Sequence, residues 1–170
     1  MFNFKIKKGK HYSNNLFYRI FNIFSHFFVG NYKRVEHRII FNKNCLYIPQ
    51  NDDTNKLVGF SLGKSHDNSL RFGWRCTSTS GLIQIMCYYY INKKMYYKPL
   101  LYVKPEKEYV YIVEYSENKY RFTVKNSNNE FITNFETEVL KREKSYYSYN
   151  LYFYFGGDLT APHDMQIKIN

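Results

Sequence analysis

Arg71-Phe72-Gly73-Trp74-Arg75 is the stretch of this chain whose residue types and spacing speak most directly of chemistry. Alternate residues of an extended strand face opposite sides, so Arg71, Gly73 and Arg75 share one face while Phe72 and Trp74 share the other. Two guanidinium groups separated by a glycine suit a carboxylate or phosphate clamp. The same pattern also fits two arginines paired with glutamates of a neighbouring strand while Trp74 fills a core. Tyr88-Tyr89-Tyr90 puts Tyr88 and Tyr90 on one face. Outward tyrosines stack on sugar rings or nucleobases, or anchor a protein interface, although cross-strand packing uses them equally well. His163 and Asp164 could form a metal-binding or acid/base pair, with His11, His66 or Asp158 closing in from other loops. The structural alternative for His163 is a tight corner in which the adjacent Asp164 accepts backbone N–H groups.

Recognised catalytic patterns are missing: there is no GxSxG, Walker loop, HExxH or ExDxE spacing. Glu106/Glu108 and Glu136/Glu138 place two carboxylates on one strand face, but beside lysines and at an expected surface. Asp67 and Asn68 could contribute oxygens to a calcium ion with Asp52 or Asp53, yet without EF-hand spacing an Asx turn is the simpler reading. No catalytic residue, metal site or cofactor is therefore assigned, and an enzyme is disfavoured. The candidate binding residues are Arg71, Arg75, Tyr88, Tyr90, His11 and His163.

The elements that must carry these residues are strands. Apolar runs bounded by Gly, Asn, Asp, Ser or Pro predict strands over Arg34–Phe41, Cys45–Ile48, Leu57–Leu62, Leu70–Cys76, Leu82–Ile91, Met95–Val103, Tyr109–Tyr115, Tyr120–Val124, Phe131–Phe135, Tyr149–Phe155 and Met165–Ile169. Loops at Asn92–Lys94, Ser116–Lys119 and Asn126–Asn129 read as hairpin connections. Such regular spacing without helix-period segments between strands indicates an antiparallel sandwich or barrel in one domain spanning 1–170. One short helix over Asn15–Phe28 competes with a strand pair there. Gly156 to Asp164 reads as an ordered corner that locks the last strand into a sheet, because two glycines and Ala161-Pro162 restrict the backbone.

With 21% aromatic residues along 170 positions the chain is not disordered, and its Lys, Asn, Ile, Tyr and Phe bias tracks what AT-rich coding would impose. Three cysteines with no CxxC pair argue for free thiols. Residues 1–100 hold sixteen Lys or Arg against four Asp or Glu, whereas residues 101–170 hold nine against ten, so the net +11 resides in the first hundred. Such a basic half predicts attraction to acidic partners, with solubility as the simpler account. Met1 reads as the retained start, with neither a signal peptide nor a transmembrane segment.

The segments Lys8–Ser13, Gly59–Gly63, Asn68–Arg75 and Tyr154–Met165 resemble a group of small, mostly uncharacterised proteins of Bacteroidetes and their phages, including crAss-like phages. This resemblance covers nearly the whole chain, most weakly between Asn14 and Arg34. It implies a concanavalin-like jelly roll and a phage origin, and it carries over no functional residue. The resulting expectation is a non-catalytic binding or structural β-sandwich, a virion component such as an auxiliary capsid or head-decoration protein, found in the virion or host cytoplasm. Capsid or other virion proteins would be its partners, with self-association left open and neither membrane nor nucleic acid expected. The alternatives are a lectin-like carbohydrate-binding module and, behind it, a polysaccharide lyase or hydrolase built on His11, Tyr12, Arg71 or His163.

Overall fold

The computed structural model describes residues 2–13, 32–49, 54–77, 81–139 and 147–170. Its strands are β1 (Phe2–Ile6), β2 (Tyr32–Phe41), β3 (Asn55–Leu62), β4 (Ser69–Cys76), β5 (Ile83–Ile91), β6 (Lys94–Val103), β7 (Glu108–Ser116), β8 (Lys119–Asn126), β9 (Phe131–Glu138), β10 (Ser148–Leu151) and β11 (Met165–Ile169). They form two antiparallel sheets, one ordered β1-β11-β2-β7-β8-β9 and the other β10-β3-β4-β5-β6. The all-β sandwich expected from the strand spacing is the fold observed. The helix expected over Asn15–Phe28 lies outside the described residues.

Alternation writes the core. Phe72 and Trp74 of β4, Ile83, Ile85, Cys87 and Tyr89 of β5, and Tyr120, Phe122 and Val124 of β8 all turn inward and are buried. Rings meet across the two sheets, Phe72 lying 5.2 Å from Tyr111 and 5.5 Å from Phe122, and Phe41 lying 5.2 Å from Trp74. Each such side chain contributes about 1.5–3 kcal/mol of burial free energy, which is what holds the two layers together. The thiols Cys45, Cys76 and Cys87 are free and buried, and desolvation pushes that of Cys45 up to about 12.

Two hairpins follow the tightest geometry. Asn92 and Lys93, like Glu117 and Asn118, are both left-handed, with φ of 48°, 69°, 50° and 58° respectively. This pattern matches the right-handed twist of the flanking strands. In the third turn the Asn126 carboxamide accepts the N–H groups of Asn128 and Glu130, each at 2.9 Å.

Three segments depart from the expectation. Phe2–Ile6, which was not among the expected strands, is a strand on the sheet edge paired with β11, with Phe4 and Ile6 buried. Cys45–Ile48 is not a strand. A 3-10 turn over Lys43–Cys45 is capped by the Asn42 side chain, and Cys45 donates from Sγ to the Gln166 carbonyl at 3.1 Å. Of Tyr149–Phe155, only the part up to Leu151 pairs as β10, because the chain beyond it leaves the sheet edge and crosses toward residues 11–12 and 56.

The corner from Gly156 to Asp164 is ordered as expected. Gly9 donates to Ala161 at 2.8 Å, Ala161 donates to Lys10 at 3.1 Å, and the Asp164 carboxylate takes the Lys8 N–H at 2.9 Å and the Lys7 ammonium at 2.6 Å. Lys7 first, then the Lys8 N–H, holds the Asp164 carboxyl below the usual range. Both partners stand in solvent, so this anchor is a weak one.

Candidate ligand cleft on the five-stranded sheet

No strand of the five-stranded sheet contains an Asp or Glu, yet Lys56, Arg71, Arg75, Lys94 and Lys98 all lie within it. The sheet is built wholly from the basic half of the chain except for three β6 residues and β10. Its outer face follows from register: Arg71 sits opposite Tyr88, Gly73 opposite Met86 and Arg75 opposite Gln84, while Lys56 sits opposite Gly73 on the other side. Between Lys56 and Gly59 the pairing slips through a bulge. Gly59 is obligatory at that slip, since a Cβ there would lie 2.2 Å from the Leu70 carbonyl oxygen and 2.4 Å from Arg71 Cα.

At one end of this face lies a cleft of about 600 Å³. Its floor is Arg71 and Tyr88, and its walls come from Tyr12, Ser13, Lys56, Ser65, His66 and residues 150–154, with Asp158 at the rim. The 152–158 stretch makes a wall because Tyr154 exchanges main-chain hydrogen bonds with Lys56, at 2.7 and 3.1 Å, and the Phe155 N–H donates to the His11 carbonyl at 2.8 Å. Gly156 closes the bend. Its φ is +68°, and a Cβ there would collide with the Leu159 carbonyl. The buried Asn55 carboxamide accepts the Gly156 N–H at 2.6 Å and donates to the Tyr47 hydroxyl at 2.7 Å.

Rings surround the cations. His11 stacks on Tyr154 at 4.9 Å and 9°, its Nδ1 donating to the Phe155 carbonyl at 2.8 Å, and Tyr12 meets Tyr154 edge-on at 4.9 Å. Lys56 Nζ lies over the Tyr88 and Tyr154 rings at 5.4 and 5.7 Å while donating to the Gly156 carbonyl at 2.9 Å. Arg71 donates through Nη2 alone, to the carbonyls of Leu57 at 3.0 Å and Tyr152, and its Nε is buried without an acceptor. Burial brings its pKa down to about 10, and the opposing influences are the phenols of Tyr88, Tyr149, Tyr12 and Tyr90 rather than any carboxylate.

The six candidate residues divide accordingly. Arg71 and Tyr88 meet at the floor, Tyr90 stands one pair along with its hydroxyl 3.4 Å from that of Tyr88, and His11 buttresses the wall. Arg75 is separated from Arg71. Thr54 occupies the space over Gly73, 2.5 Å from where a Cβ would stand, so the two arginines form no common clamp. Neither arginine takes a glutamate of a neighbouring strand. Arg75 instead donates from Nε to the Gln84 carboxamide oxygen at 2.8 Å, and Gln84 donates to the Tyr102 hydroxyl at 2.8 Å. His163 lies elsewhere, donating from Nε2 to the Asn44 carbonyl at 2.7 Å in the corner. Asn68 accepts the Asn92 N–H at 3.0 Å as a loop brace.

Lys56 and Tyr154 are cleft residues that the sequence did not single out, whereas Asp158 entered only as a possible partner of His163 and Asp164. Lys56 was legible in principle from β-alternation, but Tyr154 and Asp158 depend on where the chain goes after leaving the β10 edge. Chemically, the cleft offers ring faces for stacking, hydroxyls and a carboxylate for polyol hydrogen bonds, and buried positive charge. Among the described residues lining it, Asp158 is the sole carboxylate, so the paired acids of ordinary glycoside hydrolysis are not assembled there. No cluster of three or more His, Cys, Asp or Glu side chains suited to a metal occurs among the described residues, and none of the helices there is long and apolar enough to cross a membrane.

No family model and no curated protein matches the sequence. Solved structures do match the fold. A functionally unknown protein from Saccharomyces cerevisiae aligns with a TM-score of 0.55 at 9% identity, over 85% of this chain and 72% of that one. The alginate lyase from Klebsiella pneumoniae aligns with a TM-score of 0.57 at 9% identity, over 81% of this chain. This chain spans 58% of the lyase's length. The CBM2 module of the evolved Dit protein of Lactobacillus casei BL23 phage J-1 aligns with a TM-score of 0.46 at 10% identity, over 99% of this chain and 68% of that one. At such identities the first two likenesses establish a shared β-sandwich architecture and nothing finer.

Proposed function

We propose that the chain is a saccharide-binding β-sandwich whose ligand lies in the cleft between β4, β5 and the 152–158 wall. The observation that carries this reading is the convergence of the Tyr12, Tyr88 and Tyr154 side chains on a cleft that also holds Arg71 and Asp158. Flat rings pack against the apolar face of a pyranose, while charged groups at the edges take its hydroxyls. A lyase of this architecture acts on alginate, and that analogy of fold adds weight without assigning chemistry. A glycan array, followed by calorimetry of any hit against wild type and Tyr88→Ala, tests it. Binding that weakens in the variant is expected. An array without a hit, with and without calcium, removes the reading.

A second reading, a phage virion component docking to other proteins, has its own observation. Phe131 and Ile132 stand 62% and 41% exposed at the start of β9, which is an open edge of the six-stranded sheet. Exposed apolar side chains on an open edge suit a protein contact. Mass spectrometry of purified virions decides it, and absence of the chain from the particle sinks it.

A further inference from the structure

A buried arginine normally brings its own counter-charge, or several acceptors that satisfy its donors. Arg71 has been given neither in full. The protein engages only Nη2, with two main-chain carbonyls, and Nε is enclosed with no acceptor. Burial lowers its pKa to about 10, and no carboxylate is among the influences that oppose the shift. The surrounding sheet could have supplied a carboxylate from a strand neighbour, as the six-stranded sheet does for Arg121, but its strands hold none.

Resting on the saccharide reading above, we infer that the ligand of this cleft is an acidic saccharide whose carboxylate seats against the Arg71 guanidinium. A carboxylate fits because it is a planar acceptor that suits guanidinium donors, and burial makes the pairing stronger than at a surface. Lys56, tethered to the Gly156 carbonyl over the Tyr88 ring, lends further positive potential from the opposite wall. The ligand class is thus a uronic-acid-containing glycan rather than a neutral one.

The test uses the full chain and three probes measured by calorimetry: an oligogalacturonate, the same oligomer after carboxyl reduction, and dextran sulfate. Wild type is expected to bind the uronate at least ten-fold more tightly than its reduced form. Arg71→Gln, with folding checked by circular dichroism, should lose that preference, and Arg71→Lys should retain part of it. Should Arg71→Gln fail to fold, the wild-type comparison of the uronate with its reduced form remains decisive. Equal affinity for the two forms, or an intact preference in folded Arg71→Gln, overturns the inference while leaving the saccharide reading in place. Tighter binding of dextran sulfate replaces carboxylate with sulfate as the recognised acid and likewise overturns it. No binding to any of the three probes overturns the inference, and the glycan array then decides the saccharide reading separately.

Discussion

On the outer face of the six-stranded sheet the charges answer one another. Arg121 bridges Glu114 at 2.7 Å and Glu136 at 2.6 Å, Lys119 meets Glu136 at 2.8 Å, and Arg38 meets Glu108 at 2.9 Å. The outer face of the five-stranded sheet instead holds Arg71 against carbonyls and phenols, Arg75 against a carboxamide, and Lys56 against rings. Strand pairing produces the contrast. β2, from the basic half of the sequence, is laid beside β7, from the acidic half, whereas β3, β4 and β5 pair mainly among themselves. Among the described residues, then, the cations of one face sit in ion pairs, while the strands of the other carry their cations beside tyrosines and hold no carboxylate of their own. The paired face suits solubility, and the other is where an acidic ligand gains most.

Substitutions can break this contrast at several depths. Gly59→Ala should have the largest effect, because its methyl group would meet the main chain of Leu70 and Arg71 and force β3 from β4. A loss of about 3 kcal/mol is expected from such overpacking, read as a lower urea midpoint together with loss of the cleft. Next, Tyr88→Ala should weaken saccharide binding roughly ten-fold by calorimetry, the loss expected of an aromatic platform worth about 1.4 kcal/mol. Tyr111→Phe should go the other way. The Tyr111 hydroxyl is buried between the sheets with no hydrogen-bond partner, so its removal should stabilise the chain by about 1 kcal/mol in the same urea titration.

Glu136→Gln on the paired face should do least. Lys119 and Arg121 hold the Glu136 carboxyl below the usual range, but all three side chains lie at the surface. A carboxyl with a depressed folded pKa lends stability above its ordinary range and loses it as pH falls through the depressed value. The wild type's small advantage over Glu136→Gln in melting temperature should therefore fade on acidification below about pH 4, and also in molar salt. An advantage that persists in high salt would mean that the ladder is more than a screened surface array.

Legibility followed the range of the interactions. The inward set of β4 and β5, and the shared outer face of Arg71 and Arg75, could be read from alternation because a strand's two faces are fixed by local geometry. Phe2–Ile6 was not among the expected strands, and its pairing with β11 at the far end of the chain leaves no local signal. Cys45–Ile48 looked like a strand because Cys45, Leu46 and Tyr47 are indeed buried or half-buried, though in an unpaired stretch behind a capped turn that leaves Ile48 exposed. Arg71 and Arg75 also looked like one clamp until Thr54, from a segment seventeen positions before Arg71, was found lying between them.

By itself the sequence determined the all-β character, the inward and outward sets of most strands, the free thiols and the imbalance of charge between the two halves. All of these follow from residue types and near-neighbour periodicity. Tertiary structure alone decided which cations found carboxylates, because that depends on β2 lying beside β7 and on the absence of acidic residues from every strand of the other sheet. It also decided that residues 152–158 leave the sheet and fold back over Lys56, which requires the Asn55, Gly156 and Tyr154 contacts between segments roughly a hundred residues apart. A cleft made by chain segments so distant leaves no local periodicity to read, and Arg71 acquires its part-buried, half-satisfied state only when they meet.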